Sequence, residues 1–291
     1  MLPGEASQTL RIASIMRARH QLFDAPVIFH DPVVLRLVPE ARDPGVLSDF
    51  GDASQPKPTL MRSMFAVRSR FAEDRLAEAA QRGIRQYIMF GAGLDTFPWR
   101  QPDFAKSMQI FAVDHPASLI ATNRLFRERG FVRPSNLVRV PLDLEQKRIG
   151  EQLAACDFDP DTASFCSALG LMLYLNDEIV DEILRFVLSL PPPSEIVLSF
   201  APPDDDLEGL DLEIVRGVTA KFATIGEPWK SRVQPQAMAD RLRGLGFRET
   251  FYLSPELAQA RYFVGRSDKM MAPHFEQMIA ATCGHLLRAW F

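Results

Sequence analysis

This 291-residue chain has no large excess of charge of one sign, no long apolar run and few cysteines. Each of these features excludes a class of protein. The charge is nearly balanced, with 33 Lys+Arg against 37 Asp+Glu and a formal net charge of −4. Proteins that bind nucleic acid by neutralising phosphates normally carry a basic excess, so we expect no nucleic-acid partner. No apolar run reaches the ~18 residues typical of a membrane-spanning helix, so we expect no membrane association.

Cysteine is also scarce. Only Cys156, Cys166 and Cys283 are present, and they are far apart and lack the spacing of a zinc site. The N-terminus lacks the basic start and apolar block of a signal peptide. These features predict a cytoplasmic protein whose cysteines have ordinary packing roles.

The composition that remains, 47% hydrophobic and 24% charged, is typical of globular proteins. Helix-like segments separate most of seven apolar runs, at 87–90, 110–113, 137–142, 164–168, 195–200, 249–253 and 261–264. This alternation predicts an α/β fold with a doubly wound, mostly parallel sheet of seven strands. The last two runs are too close for a crossover helix and are predicted to pair as an antiparallel hairpin.

The helix-like segments lie at 9–23, 61–81, 118–129, 146–156, 177–190, 207–223 and 236–245, and a long loop is predicted at 43–59. We expect a single domain over residues 1–291, because a core of about 200 residues leaves only appendages. These appendages are an N-terminal arm (1–60), a lid-like insertion (201–233) and a C-terminal helix (273–291). The apolar stripe of that last helix would dock on its own domain or form a dimer, so a monomer and a homodimer both remain open.

The junction after the first predicted strand carries the clearest motif, Gly91-Ala92-Gly93-Leu94-Asp95. Glycines at the carboxyl end of a parallel strand let the backbone approach a nucleotide closely. Thr96 occupies the place of the third glycine in a dinucleotide fingerprint, which disfavours a pyrophosphate ligand and a nicotinamide dehydrogenase. The motif instead favours a nucleoside without phosphates.

Acidic residues end the next two strands. Asp114 lies 23 positions after Gly91, where a carboxylate can accept hydrogen bonds from both ribose hydroxyls. Asp143 and Leu144 end the third strand, an acid and an apolar side chain suited to an adenine ring. Each acid alone could equally be a helix N-cap or a solvated loop residue.

The chain resembles the leucine carboxyl methyltransferase family of class I S-adenosylmethionine-dependent enzymes. The resemblance runs over residues 9–265 and rests on MFAVRSRFAEDRL, YIMFGAGLDTFPWR, AVDHPAS, VPLDLE and GLMLYL. It implies a Rossmann-like methyltransferase fold and S-adenosyl-L-methionine as cofactor. Its sharpest part is GAGLDTFPWR.

The resemblance also implies roles for single residues. Gly91, Ala92 and Gly93 would pass under the cofactor, Asp114 would hold the ribose, and Arg68 would pair with the methionyl carboxylate. Arg17 would make a second basic contact with the cofactor. The adenosine would be bordered by His115, Asp143 and Leu144. The chain departs from the family where Leu169 replaces the acid that usually precedes Gly170. If that acid receives the cofactor's ammonium group, this chain would use backbone carbonyls near Ala168 instead or bind the cofactor more weakly.

The predicted function is therefore an O-methyltransferase that acts on a carboxylate or hydroxyl of a small molecule. A carboxylate is ionised at neutral pH and needs no base, whereas a hydroxyl needs one, for which histidine is the natural candidate. We assign no catalytic base. His20 is predicted to be solvated, the resemblance places His115 at the adenosine, and no spacing to a partner singles out the remaining histidines. A methyltransferase-like binding protein without turnover is the alternative.

One acidic segment has two interpretations. Asp204-Asp205-Asp206, with Glu208, Asp211 and Glu213, could hold a divalent metal or form the acidic first turn of a helix. We favour the second interpretation because the acids are consecutive, and we assign no metal ligand.

Overall fold

The computed structural model describes residues 7–144 and 148–284. Its seven strands form one sheet, and in chain order they are β1 (Gln86–Phe90), β2 (Gln109–Asp114), β3 (Leu137–Pro141), β4 (Ser164–Ala168), β5 (Glu195–Phe200), β6 (Glu249–Leu253) and β7 (Gln277–Thr282). The spatial order is β3-β2-β1-β4-β5-β7-β6. The first five strands are parallel, and β7 runs antiparallel to both β5 and β6. The predicted doubly wound, mostly parallel sheet is confirmed.

Helices cover both faces of this sheet. They are α1 (Gln8–Phe23), α2 (Pro32–Leu37), α3 (Pro56–Gln81), α4 (Phe97–Arg100), α5 (Pro116–Glu128), α6 (Ile149–Ala154), α7 (Asp177–Ser189), α8 (Gly209–Thr224), α9 (Pro235–Leu245) and α10 (Pro255–Tyr262). None of these helices is long and apolar enough to cross a bilayer.

The sheet has a hydrophobic core on each side, because successive strand side chains point to opposite faces. In β1, Tyr87 and Met89 belong to the core under α3 and α10, whereas Ile88 and Phe90 belong to the core under α6, α7 and α9. Strands buried on both faces read as continuous apolar runs, which is why the runs at 87–90 and 195–200 are recognisable in the sequence.

A third hydrophobic cluster joins the two appendages that the sequence predicts. Met16 of α1, Phe65 of α3 and Phe222 of α8 are buried together, so the N-terminal arm and the 201–233 insertion pack against the same helix. Helix α3 begins at Pro56, five residues before the predicted start. A proline is well accommodated in the first turn of a helix, which explains how α3 reaches into the predicted 43–59 loop.

The C-terminal region differs from the prediction. No strand forms at 261–264, since α10 extends to Tyr262, and the antiparallel partner of β6 is β7. The helix predicted over 273–291 is wrong where the chain is described, because 277–282 form β7 and residues 285–291 lie outside the described part. All six residues of β7 are buried, and a short run that is apolar on both faces satisfies helical and strand spacing alike.

The burial of β7 gives a first test. Ile279 is fully buried and pairs with Leu198 of β5 and Tyr252 of β6. We expect Ile279→Ala to lower the free energy of unfolding by about 2–5 kcal/mol, because it leaves a cavity between packed strands. The matched control is Ile120→Ala on α5, where the side chain is 66% exposed, and it should cost no more than about 0.5 kcal/mol. Urea denaturation measures both, and equal effects would contradict the burial of β7 between β5 and β6.

Candidate functional site

The turn after β1 is held against the end of β2. The N–H groups of Gly91 and Ala92 both donate to the Val113 carbonyl, at 2.9 and 3.2 Å. Leu10 of α1 covers Gly93 so closely that a Cβ on this glycine would lie 2.6 Å from a leucine methyl carbon. The predicted glycine turn therefore exists, and the N-terminal arm covers it.

Asp114 completes this turn at the end of β2. Its Oδ2 accepts from the Gly93 N–H at 2.7 Å, and its Oδ1 accepts from the His115 N–H at 2.7 Å. The carboxylate is partly exposed at a cavity wall, yet lost hydration raises its pKa above the ordinary value despite these hydrogen bonds. The Ser118 side chain is a third hydrogen-bond partner of this carboxylate. Because a carboxylate has about four acceptor positions, Asp114 retains capacity for a further donor from the cavity.

The predicted adenosine border forms beside Asp114. The exposed His115 ring caps α5, because its Nδ1 accepts from the Ala117 N–H at 3.2 Å. His115 Nε2 lies 3.8 Å from Asp143 Oδ2 at the end of β3. Leu144, the next residue, is partly buried against the core under α6 and α7. The structure thus brings His115 and Asp143 together, as their positions at neighbouring strand ends predict.

Ala168 and Arg17 lie on the other side of the glycine turn. Ala168 is fully buried at the end of β4, in register with Phe90 of β1. Arg17 is 7% exposed, and its Nη2 donates to the Leu94 carbonyl at 2.6 Å. Its Nη1 lies 3.9 Å from Asp31 Oδ2. The guanidinium of Arg17 therefore links α1 to the glycine turn through a hydrogen bond.

Arg68 of α3 lines the same cavity as Gly91 of the turn. Its Nη1 donates to Glu276 Oε1 at 3.0 Å, and the Glu276 side chain is only 3% exposed. The guanidinium passes directly over Gly170, where a Cβ would collide with Nη1. Gly170 has φ +65°, and its N–H donates to Ser199 Oγ at 2.7 Å.

A cavity of about 360 Å³ begins at these strand ends and continues beneath α8. One wall contains Gly91, Asp114 and Gly170, and the far wall is apolar, with Met61, Met64, Phe65, Val218, Phe222 and Phe275.

Polar contacts at the cavity rim join the 201–233 insertion to the N-terminal arm. Glu227 accepts from Ser7 Oγ at 2.7 Å and from Thr9 Oγ1 at 2.6 Å. Trp229 Nε1 donates to the Tyr174 hydroxyl at 3.3 Å, and burial raises the pKa of Tyr174 to about 12. Sequence reasoning missed Glu227, Glu276 and Tyr174, because each meets its partners across a large separation in the chain.

His20 is not solvated as predicted. It is 1% exposed, with Nδ1 at 2.9 Å from Asp24 Oδ2, while Nε2 accepts from the N–H groups of Ile28 and Phe29. Because Nε2 accepts two hydrogen bonds, the proton belongs on Nδ1. His20 thus orders the chain that follows α1. It is buried because Asp24, one helical turn further on, pairs with it, and Asp24 also pairs with Arg62.

The acidic segment also differs from the prediction. Asp204-Asp205-Asp206 form a short 3-10 turn ahead of α8, and the first turn of α8 itself contains only Asp211 as an acid. Asp204 pairs with Arg232 at 2.6 Å and with Arg216 at 3.4 Å. Within residues 7–144 and 148–284, no three His, Cys, Asp or Glu side chains are grouped to hold a metal ion.

The contact between Arg68 and Gly170 can be tested by substitution. In Gly170→Ala the left-handed backbone costs about 1–2 kcal/mol of stability. Displacement of Arg68 from Glu276 adds roughly 1–3 kcal/mol. Gly130→Ala is the matched control, since Gly130 has φ +74° and a Cβ added there would meet nothing within 4 Å, so only the backbone cost applies. Equal denaturation midpoints for the two variants would contradict the close packing of Arg68 on Gly170.

Comparison with solved structures supports the fold. A protein of the DUF574 family from Streptomyces avermitilis superposes with a TM-score of 0.58 at 17% identity, over 96% of this chain and 98% of that one. A Thermobifida fusca protein described as a methyltransferase gives a TM-score of 0.55 at 14% identity, over 93% and 94% of the two chains. At these identities the likeness concerns the fold alone.

Sequence comparison adds relatives of similar length. YktD of Bacillus subtilis (strain 168) is 28% identical over 301 residues, covering 94% of this chain and 96% of its own. A Frankia alni protein is 28% identical over 258 residues, covering 85% and 83%. Both are named as S-adenosyl-L-methionine-dependent methyltransferases, in agreement with the predicted cofactor. Residues 11–188, more than half of the chain, match the family model described as leucine carboxyl methyltransferase. The chain therefore belongs to the leucine carboxyl methyltransferase family.

Proposed function

We propose that this protein transfers a methyl group from S-adenosyl-L-methionine to an oxygen atom, in a carboxylate or a hydroxyl, of a small molecule. The observation that carries the proposal is the continuity of the 360 Å³ cavity, which joins the strand ends to an apolar chamber under α8. A donor at the strand ends and an acceptor in the chamber would share one continuous space. We further propose that the chain acts as a single domain, as a monomer or homodimer, with the 201–233 insertion as the chamber's lid.

The residues at the strand ends fit the cofactor. Gly91 and Asp114 line the cavity at this turn, where Gly91, Ala92 and Gly93 would pass under the cofactor, and Asp114 keeps acceptor capacity for a ribose hydroxyl. His115, Asp143 and Leu144 would border the adenine, and Arg68 would bind the methionyl carboxylate. The carbonyl end of β4 at Ala168 lies beside this turn, and Arg17 would hold the turn in place.

The bound cofactor supplies an activated methyl group on a positively charged sulfur. The remaining task for this chain is to align the acceptor oxygen with that methyl carbon and to exclude water. Met61, Met64 and Phe65 of α3 would hold the apolar body of the acceptor against Val218 and Phe222 of α8. A chamber of this kind favours a hydrophobic acceptor with one oxygen group that points to the strand ends.

Transfer is tested with cofactor that carries a labelled methyl group. We expect label to move to at least one member of a panel of hydrophobic carboxylic acids and phenols, with one S-adenosylhomocysteine formed per methyl transferred. Mild alkali releases the label as methanol from a methyl ester and leaves it on a methyl ether, which separates the two acceptor types. Tight cofactor binding with no transfer across the panel would contradict turnover and support a binding protein.

The cofactor contacts are tested separately by calorimetry with S-adenosylhomocysteine. We expect Arg68→Ala and Asp114→Asn each to weaken binding about 10- to 100-fold, because each removes one charged hydrogen-bonding partner of the ligand. Because the pKa of Asp114 is raised, wild-type affinity should fall as the pH decreases through that pKa, and Asp114→Asn should abolish this dependence. Arg70→Ala is the control, since Arg70 lies on the same helix and pairs with Asp74 on the surface. Unchanged affinity in both site variants would refute the assignment.

A further inference from the structure

We propose that Glu276 binds the α-ammonium group of the cofactor's methionyl end, so that Arg68 and Glu276 together recognise a zwitterion. This inference rests on the proposed function and adds a residue that the sequence did not indicate. Glu276 directly precedes β7, and its side chain lines the cavity together with Arg68, Gly91 and Gly170.

The pair has the arrangement that an amino acid requires. The α-ammonium and α-carboxylate groups are attached to the same carbon atom, so the groups that bind them must be neighbours of opposite charge. Arg68 Nη1 lies 3.0 Å from Glu276 Oε1 and 3.5 Å from Oε2. A ligand that pairs its carboxylate with Arg68 therefore brings its ammonium group next to Glu276.

Glu276 also has unused acceptor capacity. Within the described part of the chain, the hydrogen bonds to its carboxylate all come from one nitrogen atom of Arg68. A carboxylate offers about four acceptor positions, and an ammonium group has three donors. A nearly buried charge with a single partner is costly, and an ammonium ligand would supply the missing hydrogen bonds.

The other acids that line the cavity are already engaged elsewhere. Asp114 accepts from the backbone of Gly93 and His115. Glu227 accepts from Ser7 and Thr9 and so holds the N-terminal arm. Among these lining acids, Glu276 is the one paired with Arg68. Because Arg68 would bind the ligand's carboxylate, Glu276 is the acid next to the expected position of the ammonium group.

Ligands that differ in the methionyl end test this assignment. Calorimetry would measure the dissociation constants of S-adenosylhomocysteine, of its analogue with hydrogen in place of the α-ammonium group, and of 5′-methylthioadenosine, which lacks both charged groups. We expect the wild type to prefer S-adenosylhomocysteine over the deaminated analogue by about 10- to 100-fold, the usual effect of a charged hydrogen bond. Glu276→Gln should lose most of this preference and bind 5′-methylthioadenosine as the wild type does.

Two further variants separate recognition from a structural effect. Glu227→Gln, in the same cavity, should keep the preference for the ammonium group. Glu276→Asp, which retains the charge, should keep more of the preference than Glu276→Gln. A merely structural role would weaken all three ligands equally and leave the ratio unchanged.

The outcomes are distinct. If Glu276→Gln retains the full preference, or if Glu227→Gln loses it instead, the ammonium group is bound elsewhere and the inference is wrong. If the wild type binds none of the three ligands, the proposed function itself fails, and the inference fails with it.

Discussion

The hydrogen bonds that fix the glycine turn to β2 are the contacts on which the rest of the site depends. The Val113 carbonyl accepts from Gly91 and Ala92, and the Asp114 carboxylate accepts from Gly93, so the turn cannot move independently of the sheet. Leu10 then packs on Gly93, and Arg17 reaches the carbonyl of Leu94. The arm is therefore positioned by the turn, and the arm lines one side of the cavity.

Much of this arrangement could be predicted because it is local in the chain. Each of the first three strands ends in its own ligand-type residues, and parallel strands bring those ends to one edge of the sheet. Asp114, His115 and Asp143 meet for that reason alone. Covalent neighbours and strand order were sufficient, and side-chain contacts were not needed to place them.

Other parts depend on contacts that no local pattern contains. His20 looks like a solvated residue on a basic helix until Asp24 and the Ile28 and Phe29 backbone amides enclose it. The spacing of β7 also fits a helix, because its residues are buried on both faces of the sheet and show no polar alternation. Glu276 was missed with it, since its partner Arg68 lies 208 positions earlier.

The position of β7 in the sheet explains why Glu276 lies beside Arg68. Insertion of the last strand antiparallel between β5 and β6 returns the chain to the ligand edge, and so places an acid beside the arginine of α3. A largely buried ion pair is weak evidence for stability, because the loss of hydration offsets much of the attraction between its charges. This loss of hydration is explained if the pair is preorganised for a ligand that carries two opposite charges. Groups that are already oriented need not reorganise when the ligand binds. The same strand that completes the hydrophobic core thereby completes the polar end of the cavity.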